Sequence, residues 1–327
     1  STPLFAQSAA ESSEEKVYVL KAGHANAPIE DSIYHVEALK FKELVEKYSD
    51  GRITVDIYPS GQLGSDAEMA EYTKTGTQDI FITSLNLLTD HAPRLEVFML
   101  PYMFPEMDKA NEAIDIKWDY FNDYIITKAN LRLLDLPLTG YRKIMSLEPV
   151  MSMEEAQDIK FRLPPSPLFI NTFEKFGINP TIIPWNELFT SMQLGTVDAF
   201  ECDPTVLISA RFNEVVKYIT DIDWTLQVSV MVMSQKTYAG LPADLQVAVD
   251  KAALETREYI KGRIGSILQN CIDSSTNVTF LGRPDDYEVW IEKGRLTWPT
   301  FYERLGDGDA ALGKQVIETV SSTYDSL

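Results

Sequence analysis

The chain has 327 residues, 45% of them hydrophobic and 11% aromatic, which is enough for two domains and a sizeable core. Its formal charge of -20 argues against a nucleic-acid partner, because no surplus of lysine and arginine is available to replace phosphate counterions. No apolar run reaches the roughly eighteen residues that a membrane-spanning helix needs.

Residues 1–16 form a tail rich in Ser, Ala and Glu, and Ala6-Gln7-Ser8-Ala9-Ala10 has the small-residue character of a signal-peptide cleavage region. No apolar stretch precedes it, so a trimmed exported protein and an ordinary polar tail both fit. Val17 to Ala22 alternates as a short strand, followed by a loop from Gly23 to Pro28 and a helix over about Ile33 to Tyr48. Val36, Leu39, Leu44 and Val45 define the apolar face of that helix, with charges elsewhere. Ile53 to Tyr58 is a second strand, and a helix capped by Ser65 or Asp66 reaches Thr75-Gly76. Ile80 to Thr83 reads as a buried strand, Leu100 to Pro105 as an aromatic loop, and Asp108 to Asn130 as one helix before a strand at Leu131 to Leu136. Strands alternating with helices predict an α/β fold with a largely parallel sheet, whose ligand crevice lies beyond the carboxyl ends of the strands.

From Thr139 to Tyr218 two arginines sit in apolar, strand-like sequence. Arg142 lies in Gly140-Tyr141-Arg142-Lys143-Ile144-Met145-Ser146, and Arg162 in Ile159-Lys160-Phe161-Arg162-Leu163-Pro164. A guanidinium grips a carboxylate through two parallel bonds and fixes its direction, which a lysine cannot do. An internal salt bridge is the competing role for either one. A helix from Trp185 to Leu194 and a strand through Val197 to Pro204 follow. Gln227 to Ser234 is a further apolar strand, Leu241-Pro242 opens a long helix through about Asn270, and the tail is helical around Tyr287 to Leu305.

The order of motifs resembles the extracytoplasmic solute-binding proteins of TRAP transporters, the DctP-type tripartite ATP-independent periplasmic family. The resemblance rests on Tyr58-Pro59-Ser60-Gly61-Gln62-Leu63-Gly64-Ser65-Asp66 with Glu68, Leu100-Pro101-Tyr102-Met103-Phe104, Gly140-Tyr141-Arg142, and Lys160-Phe161-Arg162-Leu163-Pro164. Glu187 with Gln193-Leu194-Gly195-Thr196-Val197-Asp198, and Glu214-Val215-Val216-Lys217-Tyr218-Ile219-Thr220, complete it. It implies a two-lobed periplasmic-binding-protein-like fold with hinge strands and a long helix spanning both lobes. Lobe I would hold residues 17–138 with about 227–268, and lobe II residues 139–226 with about 269–327. It also implies an interlobe organic-acid site, with Arg162 as the carboxylate anchor and Arg142 as a second basic position. Where the family often has Glu-Asn-Pro this chain has Glu201-Cys202-Asp203-Pro204, so Cys202 replaces an amide and one extra residue intervenes.

His24 and Asn26 are candidate contacts in the first loop, Glu68 at a helix start, and Tyr141, Trp185, Phe200 and Trp224 as pocket walls. Helix-dipole stabilisation by Glu68, turn roles for His24 and Asn26, and plain core packing for the aromatics are the alternatives. Cys202 is expected to be a free thiol, unpaired with Cys271. No cofactor and no metal site is expected: the two cysteines form no closely spaced ligand set, and no Gly-x-Ser-x-Gly, His-Glu-x-x-His, Walker or dinucleotide fingerprint occurs. The expected protein is thus a monomeric periplasmic receptor that captures an organic acid and delivers it to TRAP membrane permease subunits. An ABC-importer-type binding protein, or an enzyme acting on an organic acid, is the alternative. The aromatic candidates favour a monocarboxylate with an apolar or aromatic portion, with a dicarboxylate as rival because Arg142 would be available for a second carboxylate.

Overall fold

A computed structural model describes residues 16–327, and the Ala6–Ala10 segment lies outside the described residues. Among the described residues twelve strands occur: β1 (Tyr18–His24), β2 (Ile53–Tyr58), β3 (Ile80–Ser84), β4 (Leu131–Asp135), β5 (Leu138–Tyr141), β6 (Lys143–Ser146), β7 (Phe161–Leu163), β8 (Thr181–Ile182), β9 (Ala199–Cys202), β10 (Tyr218–Thr220), β11 (Leu226–Ser234) and β12 (Thr279–Gly282). They divide into two six-stranded sheets, one ordered β2-β1-β3-β11-β4 with β5 also on β11, the other β12-β10-β6-β9-β7-β8. Each sheet is the centre of one lobe. Within the first, β1 runs parallel to β2 and β3; within the second, β9, β7 and β8 are mutually parallel. Both sets therefore point their carboxyl ends the same way within their sheet.

Two short crossings join the lobes. The chain leaves the first sheet after β5 and enters the second at β6 with only Arg142 between, and returns through 221–225 from β10 to β11. The crossings are tied together where the Arg142 amide donates to the Thr225 carbonyl at 2.9 Å. Strand β11 is buried along its whole length, which its uninterrupted apolar and small-residue run requires of a central strand.

A third connection is the helix Ala243–Ser274, 32 residues and therefore about 48 Å long. Leu245, Val249, Ala252 and Ala253 pack with Leu20, Phe41 and Val45 of the first lobe. Further along, Ile260, Ile264, Ile267 and Cys271 pack with Ile33 and Val36, and the Cys271 Sγ donates to the Thr205 carbonyl of the second lobe at 3.5 Å.

Three sequence expectations change. The helix expected over Asp108 to Asn130 is two, Met107–Ile116 and Trp118–Ala129, because the Lys117 backbone (φ -100°, ψ 9°) leaves helical geometry between them. On the helix Ile33–Tyr48 the inward face carries Phe41 and Glu37, whereas Leu39 is 47% exposed. The tail adds a helix, Ala310–Asp325, capped by Asp309, whose side chain accepts from the Ala311 and Leu312 amides. This helix packs against Pro93–Met99 and Met107–Ile116, alongside the first lobe, while β12 and the helix Tyr287–Arg295 sit with the second.

Candidate ligand-binding site

The loops that leave the parallel strands converge on a cavity of about 710 Å³. Asn26 follows β1, Ser60 and Asp66 follow β2, and Asn86 follows β3; opposite them Pro164 follows β7, Trp185 follows β8, and Asp203 follows β9. This is the crevice at strand carboxyl ends that an open α/β sheet provides, here duplicated face to face. The β2 loop can turn back on the β1 loop because Gly61 adopts φ +69° and donates its amide to the His24 carbonyl at 3.0 Å, while Ser60 donates to the Asn26 carbonyl at 2.9 Å.

The two arginines are both buried on the cavity wall, and their environments differ. Arg142 is consumed by the protein: Nε donates to Glu201 Oε2, Nη2 donates to Glu201 Oε1 at 2.9 Å, and Nη1 donates to Gln227 Oε1. Its guanidinium also lies 4.8 Å from the Phe169 ring centroid. Burial works against its charge, but the Glu201 carboxylate outweighs burial and holds its pKa above the ordinary value. Arg162, only 2% exposed, donates Nε to the Ile183 carbonyl at 2.8 Å, and among the described residues its two terminal nitrogens have no hydrogen-bond partner. Burial, reinforced by repulsion from Arg142 and opposed by Glu201, lowers its pKa to about 10, so the guanidinium remains a cation at neutral pH. Both terminal nitrogens, four of the five N–H donors, are thus left to a buried cation that lines the cavity.

The other candidates divide. Asn26, Glu68, Trp185 and Cys202 line the cavity, with Trp185 stacked edge-on to Phe212 at 5.3 Å between centroids. Glu68 accepts from the Ser65 amide at 2.8 Å and from the Ser65 hydroxyl at 2.7 Å, which closes a capping box and pulls its pKa down. Cys202 and Cys271 are both free thiols, with burial pushing the Cys202 thiol up to about 12. Four residues do not reach the cavity. Phe200 is fully buried against Phe212, because it lies two residues back from the carboxyl end of β9, on the face of Cys202 but deeper in the second-lobe core. Trp224 is fully buried between Phe169 and Phe173 and donates Nε1 to Glu201 Oε2 at 3.2 Å. Tyr141 turns away to donate its hydroxyl to the Phe104 carbonyl at 3.0 Å. His24 is buried beneath the loop, with Nε2 3.2 Å from His35 Nδ1, and burial and that neighbour lower its pKa to about 4.

Three residues that the sequence reading did not single out as contacts also line the cavity: Tyr34, Asp66 and Asp203. Asp203 is 2% exposed; Oδ1 accepts from the Thr205 hydroxyl and from the Thr205 amide at 3.0 Å, while Oδ2 has only the Cys202 thiol at 4.0 Å. Asp66 accepts from the Thr83 hydroxyl at 2.9 Å. Burial raises the pKa of both carboxyls, and hydrogen bonds from Thr205 and Thr83 partly oppose it. The available signal was placement: Asp203 directly follows β9, while Tyr34 and Asp66 stand at helix starts, and a proline or helix-capping context gave each a sufficient structural explanation.

Two lobes joined by short crossings, with a cavity between the facing ends of their sheets, have the architecture of a solute-binding receptor. The chain belongs to the bacterial extracellular solute-binding proteins, family 7 (DctP), which it matches over residues 23–304, and these are receptors rather than enzymes. A solute-binding protein of Roseobacter denitrificans is 32% identical over 74% of this chain and 74% of its own length. The ectoine/5-hydroxyectoine-binding periplasmic protein UehA of Ruegeria pomeroyi is 27% identical over 88% of this chain and 87% of its own. Among solved structures, a TRAP periplasmic solute-binding protein of Rhodobacter sphaeroides in an apo open form has 30% identity and a TM-score of 0.78, covering 94% of this chain and 99% of that one. The Roseobacter denitrificans protein, solved with bound L-galactonate, superposes with a TM-score of 0.82 at 26% identity over 92% of this chain and 99% of that chain. Among the described residues no helix is long and apolar enough to cross a membrane.

Proposed function

We propose that this protein captures an organic monocarboxylate by clamping it on Arg162 between the lobes, and that the closed form presents it to TRAP membrane permease subunits. The observation that carries this reading is the pair of unused terminal nitrogens of the Arg162 guanidinium in the cavity wall. A carboxylate there accepts two parallel bonds and neutralises a cation that burial otherwise disfavours. Relatives named for ectoine, for C4-dicarboxylates and for 2,3-diketo-L-gulonate, and a structure holding L-galactonate, support a small organic acid as the cargo.

The engagement of Arg142 with Glu201 and Gln227 speaks for a monocarboxylate over a dicarboxylate, since no second free guanidinium faces the cavity. The remainder of the ligand meets hydroxyl, amide and carboxyl groups set among Ile33, Leu87, Pro164 and Val206, with Trp185 and Tyr34 as the aromatic surfaces. An aromatic ligand thus loses most of its support once Tyr141, Phe200 and Trp224 lie elsewhere.

The test is a thermal-shift screen of carboxylates followed by calorimetric titration of Arg162→Lys. A ligand bound only by the native state raises stability as RT ln(1 + [L]/Kd). Arg162→Lys keeps the charge but not the fork, and a loss of about 2 to 5 kcal/mol in binding is expected. Affinity within twofold of the parent protein would show that the carboxylate is held elsewhere.

A further inference from the structure

Arg162 accounts for one end of the ligand and leaves the rest of the cavity with the opposite electrostatic demand. Asp66 stands on the first lobe and Asp203 on the second, and both act electrostatically on the Tyr34 hydroxyl at the start of the helix Ile33–Tyr48. Neither makes an ion pair: Asp66 has the Thr83 hydroxyl, and Asp203 has the Thr205 hydroxyl and amide, all neutral donors. Arg142 is matched by Glu201, so a bound monocarboxylate that neutralises Arg162 leaves Asp66 and Asp203, besides the capping Glu68, without a countercharge.

The arrangement across the cleft sharpens this. Closure brings carboxylates on opposite lobes toward one another, and like charges meeting in a medium of reduced dielectric oppose it. A hydroxyl on the ligand satisfies one acceptor but does not cancel that repulsion. A cationic nitrogen placed between them donates to both and reverses its sign. On the reading that Arg162 binds the carboxylate, we propose that the natural ligand is a zwitterion, whose carboxylate sits on Arg162 and whose positively charged nitrogen is shared by Asp66 and Asp203 beside Tyr34. The bound nitrogen then ties one lobe to the other, so that closure requires both ends of the ligand.

The test uses matched probes that differ only in an amino group replacing a hydroxyl: β-alanine against 3-hydroxypropanoate, γ-aminobutyrate against γ-hydroxybutyrate, and serine against glycerate. Thermal shift and calorimetry on the full chain are expected to give at least one amino or cationic member binding roughly 30-fold or more tighter than its neutral counterpart, as a buried charge pair implies. Asp203→Asn and Asp66→Asn should each erase that preference, while the ligand-free variants keep a cooperative melting transition. This last readout separates a lost charge partner from a misfolded variant. Tighter binding of the hydroxy members, or equal binding within each pair, overturns the zwitterion and leaves the Arg162 carboxylate site standing. Retention of the amino preference in both Asp variants, or no response to any zwitterion, also overturns it, whereas carboxylate binding that survives Arg162→Lys would remove the anchor reading itself.

Discussion

Arg142 and Arg162 are alike in sequence context, and their partners give them opposite tasks. Glu201 projects from β9 directly toward Arg142, so that pair is complete before any ligand arrives. Removing one partner of a fully buried pair leaves an uncompensated charge, which costs about 3 to 5 kcal/mol. Glu201→Ala should therefore lower the midpoint of chemical unfolding by that order. By contrast, Arg162→Ala should leave stability unchanged or raise it, because the deleted cation lacks a full set of partners in the empty cleft. Denaturant titration of both variants distinguishes the two arginines without needing a ligand. From sequence, the strand position of Arg162 was legible because a short motif surrounds a charge with alternating apolar residues. The identity of the residue across the pair was not, since Glu201 meets Arg142 only after β6 and β9 align with Ile144 opposite Glu201.

At the level of single elements, the two helices that border the cleft carry different signals. The helix Asp66–Thr75 begins with a complete capping box, so its start was readable from Ser65 and Glu68 alone. Ser65→Ala should cost about 0.5 to 2 kcal/mol of stability, measured by thermal unfolding, and should weaken ligand binding in addition because Asp66 is the next residue. The helix Ile33–Tyr48 hides Glu37, which lies fully buried against Asp135 at the end of β4. Both Glu37 carboxyl oxygens and Asp135 Oδ2 lack a donor among the described residues, an arrangement that a shared proton relieves. Burial raises both pKa values, Asp135 to about 7, against an unfolded value near 4.

A raised carboxyl pKa means the folded state holds more protons, so stability contributed here falls as pH rises from about 4 toward about 7. Asp135→Asn supplies a permanent donor and should raise the melting temperature at pH 8 more than at pH 5. His24 acts in the opposite direction, its lowered pKa costing stability as pH falls below about 6.5, and cancels in the comparison of variant with parent. An equal shift at both pH values would mean that the pair is not protonated in the fold. Charge patterning on the helix surface gave no hint of Glu37, because a buried acid is visible only through the partner that packs over it.

For the molecule as a whole, four described segments link the lobes: the crossings at Arg142 and 221–225, the long helix, and residues 296–309, which lead from the helix Tyr287–Arg295 on the second lobe to Ala310–Asp325 beside the first. Rigid-body closure about the two crossings accounts for capture if ligand contacts both lobes. Scattering with a ligand from the screen should show a smaller radius of gyration than the free protein. An unchanged radius at saturation would mean that the cleft is closed without ligand.

The double attachment of Arg142, to Glu201 in one lobe and Gln227 in the other, makes it an axle rather than a spring. Displacement during rotation grows with distance from an axle, and strand order fixes that distance. With strands about 4.8 Å apart, β3 lies one step from β11, β1 two steps and β2 three, so Ser84 travels least, Asn26 farther and Ser60 farthest. Arg162, on the strand beside β9, is likewise close to the axis. Residues at short radius cannot make up a missing atom by a few more degrees of closure, whereas those at long radius can. Substitutions at Arg162 or Ser84 should therefore change which ligands fit, and shortening Asn26 or Ser60 should mainly change how far the lobes swing before they meet.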